Sequence, residues 1–209
     1  MYEDAAIDQA VEGVVNGIFF NQGHVCCAGS RLLLQESIHD EFIKKLEKRM
    51  QSLRVGNPLD KNTDIGAINS KEQLDKITGL VNEGVEDGGE LFQTECELPG
   101  NGFWFRPTLF TNVQPSYSIA REEIFGPVLT TLTFRTPEEA VEIANNTEYG
   151  LSAVYGLKRG LKYCGLLIGL MLVLFGRIHS TSLTLRLHLG DTKNQDSEEK
   201  AEDTAFFHI

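Results

Sequence analysis

The chain is organised around one stretch, Phe19-Phe20-Asn21-Gln22-Gly23-His24-Val25-Cys26-Cys27-Ala28-Gly29-Ser30, which we call the cysteine turn. A thiol flanked by small residues is open to a substrate. Neighbouring backbone N–H groups can stabilise a thiolate and the oxyanion formed by its attack. Taken alone, most free cysteines are buried and only fill space. Cys26 is the candidate nucleophile, and a purely structural thiol is the alternative.

Helical and extended segments flank the cysteine turn. Apolar residues at helical spacing predict an amphipathic helix over residues 4–20, which leads into the turn. Leu32-Leu33-Leu34 has the length of a buried strand. Ser37, with Asp40 three residues later, resembles a capping box and predicts a second helix that ends near Leu53. The cysteine turn is therefore expected to connect a helix to a strand.

The rest of the chain continues this alternation. Ser70 and Gln73 predict the capped start of a third helix. Residues 103–110 are aromatic and residues 128–134 are β-branched, which favours strands. The sequence Thr136-Pro137-Glu138-Glu139 combines a capping threonine with a first-turn proline, so a further helix begins there. Helices alternating with strands predict an α/β domain with a largely parallel sheet.

Composition and charge narrow the class of protein. The 209 residues are 41% apolar and 23% charged, which is typical of a globular domain with a buried core. The net charge of -11 predicts no nucleic-acid partner, because such binding needs a concentrated basic face. Four cysteines do not make a disulfide framework at this length, and the acidic start contains no secretory run. We expect a cytoplasmic protein without a metal site.

The glutamate turn is a second stretch of interest and reads Ile119-Ala120-Arg121-Glu122-Glu123-Ile124-Phe125-Gly126-Pro127-Val128. The side chains of an isolated Glu-Glu pair are usually exposed to solvent. Here, however, Glu-Glu-Ile-Phe-Gly-Pro-Val resembles one signature of the aldehyde dehydrogenase family. The pattern Phe-Phe-Asn-Gln-Gly-x-x-Cys-x-Ala-Gly in the cysteine turn resembles the active-site cysteine signature of the same family, and the separation of the two motifs also matches.

The resemblance implies roles for individual residues. Cys26 would be the catalytic thiolate. Glu123 would hydrogen-bond the hydroxyls of the nicotinamide ribose, and Phe125 would pack beside the same sugar and the nicotinamide. Gln73 and Lys76 fall where family members place residues near the adenine-side ribose, although exposed Gln and Lys side chains on a helix mostly contact solvent. The implied cofactor is NAD or NADP, and the implied substrate is an aldehyde.

The likeness covers most of the chain, with one visible departure. His24 stands where the family usually has Gln, and its imidazole could tune the thiolate, but we expect it on the surface. The sequence of residues 25–36 most resembles that of the family's sixteenth class. Further family-like segments extend to about residue 155; they are residues 60–67, 106–109 and 144–153.

Three regions are predicted along the chain. Residues 1–156 would form a partial catalytic domain of the aldehyde dehydrogenase type, without most of the dinucleotide-binding domain. Residues 157–190 form a divergent apolar tail, and the acidic end, residues 191–209, is expected to be disordered. The apolar block 164–175 is shorter than the roughly 17–25 residues of a spanning helix. We expect it to pack on the domain or on other chains, with membrane contact as the alternative.

The resemblance also implies a reaction and what it requires. Cys26 thiolate adds to an aldehyde carbonyl, hydride leaves to NAD(P)+, and water hydrolyses the thioester. In the family, the oxyanion-hole asparagine and the glutamate that activates water lie upstream of the cysteine, and this chain begins after them. We therefore expect no turnover by the chain alone. Two classes stay open: an aldehyde-oxidising enzyme as part of a longer chain, and a non-catalytic subunit or decoy that associates with full-length family members or with itself.

Overall fold

The computed structural model describes residues 1–153 and two short strands, 186–188 and 206–208. In chain order the elements are α1 (Ile7–Phe19), β1 (Arg31–Gln35), α2 (His39–Met50), α3 (Lys71–Glu86), β2 (Glu90–Gln93), β3 (Thr108–Thr111), α4 (Ser118–Arg121), β4 (Val128–Phe134), α5 (Pro137–Asn145), β5 (Arg186–His188) and β6 (Phe206–His208). The predicted mixture of helices and strands is confirmed, although α2 is followed directly by α3 and β2 by β3.

Four strands form the main sheet, in the order β1-β4-β3-β2. Strands β1 and β4 are parallel, with Arg31 opposite Thr130, and β3 is also parallel to β4. Strand β2 is antiparallel to β3 at one edge. The predicted α/β fold with a largely parallel sheet is therefore confirmed, with one antiparallel edge strand. Residues 103–110 become a strand only from Thr108 onward.

Helices cover both faces of the sheet. Successive strand residues point to opposite faces, so Leu109 packs with α1 and α2 while Phe110 packs with α3 and α4. Both side chains are fully buried. At the start of β4, Leu129 likewise belongs to the core on the α1 and α2 side, and Val128 belongs to the core on the α3 and α4 side. The result is a three-layer arrangement in which the sheet is enclosed between two hydrophobic cores.

Two helix starts agree with the sequence predictions. The Gln73 N–H donates to Ser70 Oγ at 3.2 Å at the start of α3. The Glu139 N–H donates to Thr136 Oγ1 at 3.3 Å at the start of α5. Each side chain satisfies one of the backbone donors that a helix leaves unpaired at its first turn.

Two other helix starts differ from the predictions. Helix α1 begins at Ile7 rather than at residue 4, and no side chain caps it. Helix α2 follows a short 3-10 turn, Glu36–Ile38, and also has no side-chain cap. The capping box predicted at Ser37 is wrong, because the Ser37 hydroxyl donates to a Glu3 carboxylate oxygen at 3.2 Å.

The C-terminal predictions fall mostly outside the described residues. Strands β5 and β6 pair antiparallel. The apolar block 164–175 lies outside the described part of the chain, as do most residues of the predicted tail and acidic end. Among the helices that are described, none combines the length and the apolar character needed to cross a membrane.

Candidate active site

Both motifs precede a strand, and their strands are neighbours. The cysteine turn enters β1, and the glutamate turn enters β4. Because β1 and β4 are parallel and adjacent, the two turns meet at the amino end of the sheet. The Ser30 carbonyl accepts hydrogen bonds from the Thr130 N–H at 2.9 Å and from its hydroxyl at 3.2 Å. The sheet thus brings together two motifs that are far apart in the sequence.

The cysteine turn contains consecutive left-handed residues. After α1 ends, Asn21, Gln22 and Gly23 have φ values of 49°, 48° and 75°. This region is unfavourable for a residue with a Cβ, and such strain often occurs at functional sites. The turn leaves Cys26 exposed and Cys27 half-buried. The thiol predicted as nucleophile is therefore open to a substrate.

Gly23 is the point where the two turns touch. A Cβ on Gly23 would overlap the carbonyl oxygen of Gly126. Gly126 is confined in turn, since a Cβ there would lie 2.6 Å from Ile77 Cδ1 on α3. The missing side chain of Gly23 therefore lets the two turns touch, and the missing side chain of Gly126 lets Ile77 of α3 pack against the glutamate turn.

Side chains of α3 hold the backbone of the glutamate turn. Lys76 Nζ donates to the Glu123 carbonyl at 2.8 Å. Gln73 Nε2 donates to the carbonyls of Ile124 at 2.9 Å and Phe125 at 3.0 Å. All four residues predicted to bind cofactor are thus brought together, yet Gln73 and Lys76 contact protein backbone. The alternative that they only contact solvent is wrong.

The side chains that the resemblance directs at the cofactor stay accessible. Glu123 is exposed, and Phe125 is 36% exposed. Phe125 has a φ of 55°, so the glutamate turn also contains a left-handed residue with a Cβ. Within residues 1–153, no Lys, Arg or His forms an ion pair with Glu123. An accessible carboxylate beside an accessible ring suits a sugar with an attached aromatic group.

His24 is half-buried between the two turns. Its ring stacks on Phe125, with centroids 5.8 Å apart and planes 16° apart. Its Nε2 atom is buried and has no hydrogen-bond partner in the described structure. Burial lowers the pKa of His24 below its ordinary value of 6.5. The expected surface position therefore holds only in part, since His24 is half-buried and its Nε2 atom is buried against the two turns.

Tyr149 and Ser152, to which no role was assigned from the sequence, each form a hydrogen bond with one of the two turns. The Glu123 N–H donates to the Tyr149 hydroxyl at 3.4 Å. The Ser152 hydroxyl donates to the Cys27 carbonyl at 3.3 Å. Both belong to the family-like segment 144–153, whose likeness was the only available signal. Each turn is thus tied to one segment after α5.

The backbone at the thiol offers donors to a ligand. In the described part of the chain, the N–H groups of Cys26 and Cys27 donate to no acceptor, whereas the Ala28 N–H donates to the Val25 carbonyl at 3.0 Å. Preorganised N–H donors beside a nucleophile can stabilise the oxygen that becomes negative during attack on a carbonyl. The turn therefore supplies both a thiol and backbone donors.

Comparison with known protein families gives one assignment over most of the chain. The model of the aldehyde dehydrogenase family matches residues 1–158. Among curated relatives, an aldehyde dehydrogenase of Emericella nidulans is 43% identical over 159 residues, covering 76% of this chain and 32% of the relative. Retinal dehydrogenase 2 of Rattus norvegicus is 44% identical over 156 residues, covering 73% of this chain and 30% of the relative.

Solved structures agree with these sequence relatives. An NAD-dependent aldehyde dehydrogenase from Sinorhizobium meliloti aligns with a TM-score of 0.76 at 40% identity, covering 80% of this chain and 34% of that protein. A betaine aldehyde dehydrogenase from Staphylococcus aureus, crystallised with NAD+, aligns with a TM-score of 0.74 at 31% identity over similar shares. This chain spans about a third of the length of each of these proteins.

Replacing Gly23 tests the contact between the turns. Gly23→Ala should lower the free energy of unfolding by at least about 1–3 kcal/mol, the cost of a left-handed residue, with the overlap at Gly126 adding to it. Gly17→Ala is the matched control, because nothing lies near its Cβ position and alanine favours a helix by about 0.8–1.0 kcal/mol. Urea denaturation measures both. Equal stability of the two variants would contradict the contact.

The half-buried imidazole of His24 predicts a pH dependence of stability. Because burial lowers the folded pKa, the unfolded chain binds the proton first as the pH falls below 6.5. Stability should therefore fall from about pH 6.5 down through the folded pKa and then level off. Urea denaturation of wild type and His24→Gln at several pH values isolates this contribution, since the other histidines are common to both. Parallel pH curves would show that His24 is not the cause.

Proposed function

The chain belongs to the aldehyde dehydrogenase family, and from that premise we propose that it provides the nucleophile of an enzyme that oxidises an aldehyde to an acid with NAD+ or NADP+. The observation that carries the proposal is the Gly23–Gly126 contact. It places the Cys26 turn against the turn that carries Glu123 and Phe125. A thiol and a candidate nucleotide site thus share one end of the sheet.

Cys26 begins the proposed reaction. Its thiolate attacks the aldehyde carbon and forms a carbon–sulfur bond, while the carbonyl π electrons move to oxygen. The N–H groups of Cys26 and Cys27 are free to meet that oxygen, since they have no acceptor among the described residues. The exposure of Cys26 lets an aldehyde arrive from solvent. With NAD+ or NADP+ bound as the hydride acceptor, collapse of the oxyanion would leave a thioester on Cys26, which water would convert to acid and free thiol.

The residues of the glutamate turn fit the nicotinamide side of the cofactor. The exposed Glu123 carboxylate can accept hydrogen bonds from two ribose hydroxyls, and the Phe125 ring can pack on the sugar or the nicotinamide. NAD+ or NADP+, when bound, supplies the hydride acceptor. Gly13 and Gly17 lie inside α1, so neither opens a glycine-rich phosphate loop. The described residues therefore suit the nicotinamide ribose rather than the pyrophosphate.

Compartment, association with other chains and subfamily are proposed from the same family membership. We place the protein in a reducing compartment such as the cytoplasm, because Cys26, Cys27 and Cys96 are all free thiols. Association with full-length family members or with a second copy of the chain also stays a proposal. The placement nearest the sixteenth class stays a prediction from residues 25–36.

Alkylation tests the nucleophile. Cys26→Ser should remove the fastest iodoacetamide adduct at neutral pH, because Cys26 is the exposed thiol of the pair and Cys27 is half-buried. Cys27→Ser is the matched control and should keep that adduct. Intact mass spectrometry with peptide mapping reads both. Unchanged labelling of Cys26→Ser would assign the reactivity to another cysteine and remove the basis for the mechanism.

A turnover assay on the 209-residue chain separates the two functional classes, an aldehyde-oxidising enzyme and a non-catalytic subunit or decoy. Mixing the chain with an aldehyde and NAD+ and following absorbance of the reduced cofactor tests the expectation that the chain alone does not turn over. Steady turnover would refute it. If a reactive Cys26 and NAD+ binding are both missing, the non-catalytic subunit or decoy becomes the better account, and the aldehyde-oxidising proposal fails for this chain.

A further inference from the structure

The dipeptide Asn-Gly occurs at two places in the chain, Asn16-Gly17 and Asn101-Gly102. All four residues are exposed to solvent. The first pair lies inside α1, whereas the second lies in the loop between β2 and β3. The two pairs thus share their residue types and their exposure, and they differ in the conformation of the backbone.

We propose that Asn101 is a site of spontaneous deamidation, whereas Asn16 is protected by the fold. The backbone nitrogen of Gly102 loses its proton to solvent and attacks the side-chain carbonyl carbon of Asn101, which forms a new carbon–nitrogen bond. The bond from that carbon to the side-chain nitrogen breaks, and ammonia leaves a five-membered succinimide. Water then opens the ring at either carbonyl, which gives aspartate or isoaspartate. Because only water takes part, the reaction does not depend on the proposed function.

The backbone decides whether the Gly nitrogen can reach the Asn side chain. In α1 the Gly17 N–H is directed along the helix at the carbonyl four residues earlier, and ring closure requires Asn16 to leave its helical φ and ψ values. In the loop, neither the Gly102 N–H nor the Asn101 side chain has a hydrogen-bond partner among the described residues. Asn101 is therefore free to react while the domain stays folded, and Asn16 is not.

The reacting loop is closed over Trp104. The indole Nε1 of Trp104 donates to the Asn101 carbonyl at 2.7 Å, and a Cβ at Gly102 would lie 2.8 Å from the same nitrogen. An isoaspartyl linkage carries the main chain through the former side chain, which adds a methylene carbon to the backbone. It also converts the carbonyl that Trp104 holds into a carboxylate. The contact between the indole and the loop must therefore change.

The same loop also contacts the segment that leads into α3. The Ile68 N–H donates to the Phe103 carbonyl at 2.7 Å, and the Ile68 side chain is buried in the core on the α3 and α4 side of the sheet. Ile68 lies just before Ser70, whose hydroxyl caps α3. A longer backbone at residue 101 therefore disturbs the hydrogen bond that holds this segment, and the Ile68 amide reports on it.

Peptide mapping by mass spectrometry tests the reaction on the purified 209-residue chain. At mildly alkaline pH we expect Asn101 to convert to aspartate and isoaspartate at least roughly tenfold faster than Asn16, because α1 must open before Asn16 can react. Mildly acidic pH should slow the conversion, since the attacking nitrogen must lose its proton. In concentrated urea the helix is lost, so the two sites should react at nearly equal rates.

The comparison between the two sites decides the inference. Equal rates at Asn16 and Asn101 in the folded chain would overturn it, because both pairs would then react irrespective of the fold. A difference that persists unchanged in urea would also overturn it, since the local sequence and not the backbone conformation would be the cause.

Fluorescence of Trp104, the only tryptophan of the chain, tests the effect on the loop. After incubation, we expect the isoaspartyl fraction of wild type to show a shifted emission spectrum and roughly tenfold faster exchange of the Ile68 amide. Asn101→Gln should change in neither respect, because glutamine closes the larger ring much more slowly. Freshly purified Asn101→Asp is the matched control, since it carries the new charge without the longer backbone. An isoaspartyl fraction with unchanged emission and exchange would contradict the effect on the loop.

Discussion

The contact between Gly23 and the carbonyl group of Gly126 is the constraint on which the site depends. Gly23 has no room for a side chain because its Cβ would overlap the Gly126 carbonyl, and Gly126 has none because its Cβ would overlap Ile77 on α3. One glycine belongs to the turn that exposes Cys26, and the other follows Phe125. Everything proposed for this chain as an enzyme requires these two turns to be side by side.

The site lies at an unusual end of the sheet. Ligands of open parallel α/β sheets usually bind beyond the carboxyl ends of the strands. Here both functional turns enter their strands, and parallel pairing of β1 with β4 brings them to the amino end. Left-handed residues on both turns, such as Gln22 and Phe125, store the strain that a tight approach costs. The hydrogen bonds from α3 offset part of it.

The sequence predicted what local patterns encode. The starts of α3 and α5 followed from Ser70 and Thr136, because a capping side chain acts within its own helix turn. The start of α2 could not be predicted, because the Ser37 hydroxyl donates to the carboxylate of Glu3, which is distant in the sequence. The site residues came from motif resemblance. The stacking of His24 on Phe125 depends on the neighbouring positions of β1 and β4, which no local pattern specifies.

The central claim is that Cys26 and the Glu123 turn form one site, and the rate of Cys26 alkylation measured with and without nicotinamide mononucleotide tests it most directly. The account predicts that saturating nucleotide slows alkylation of Cys26, because the bound nicotinamide covers the thiol. It also predicts that Glu123→Ala removes this protection, since the ribose hydroxyls lose their acceptor. An alkylation rate that is the same with and without nucleotide in the wild-type chain would contradict a shared site.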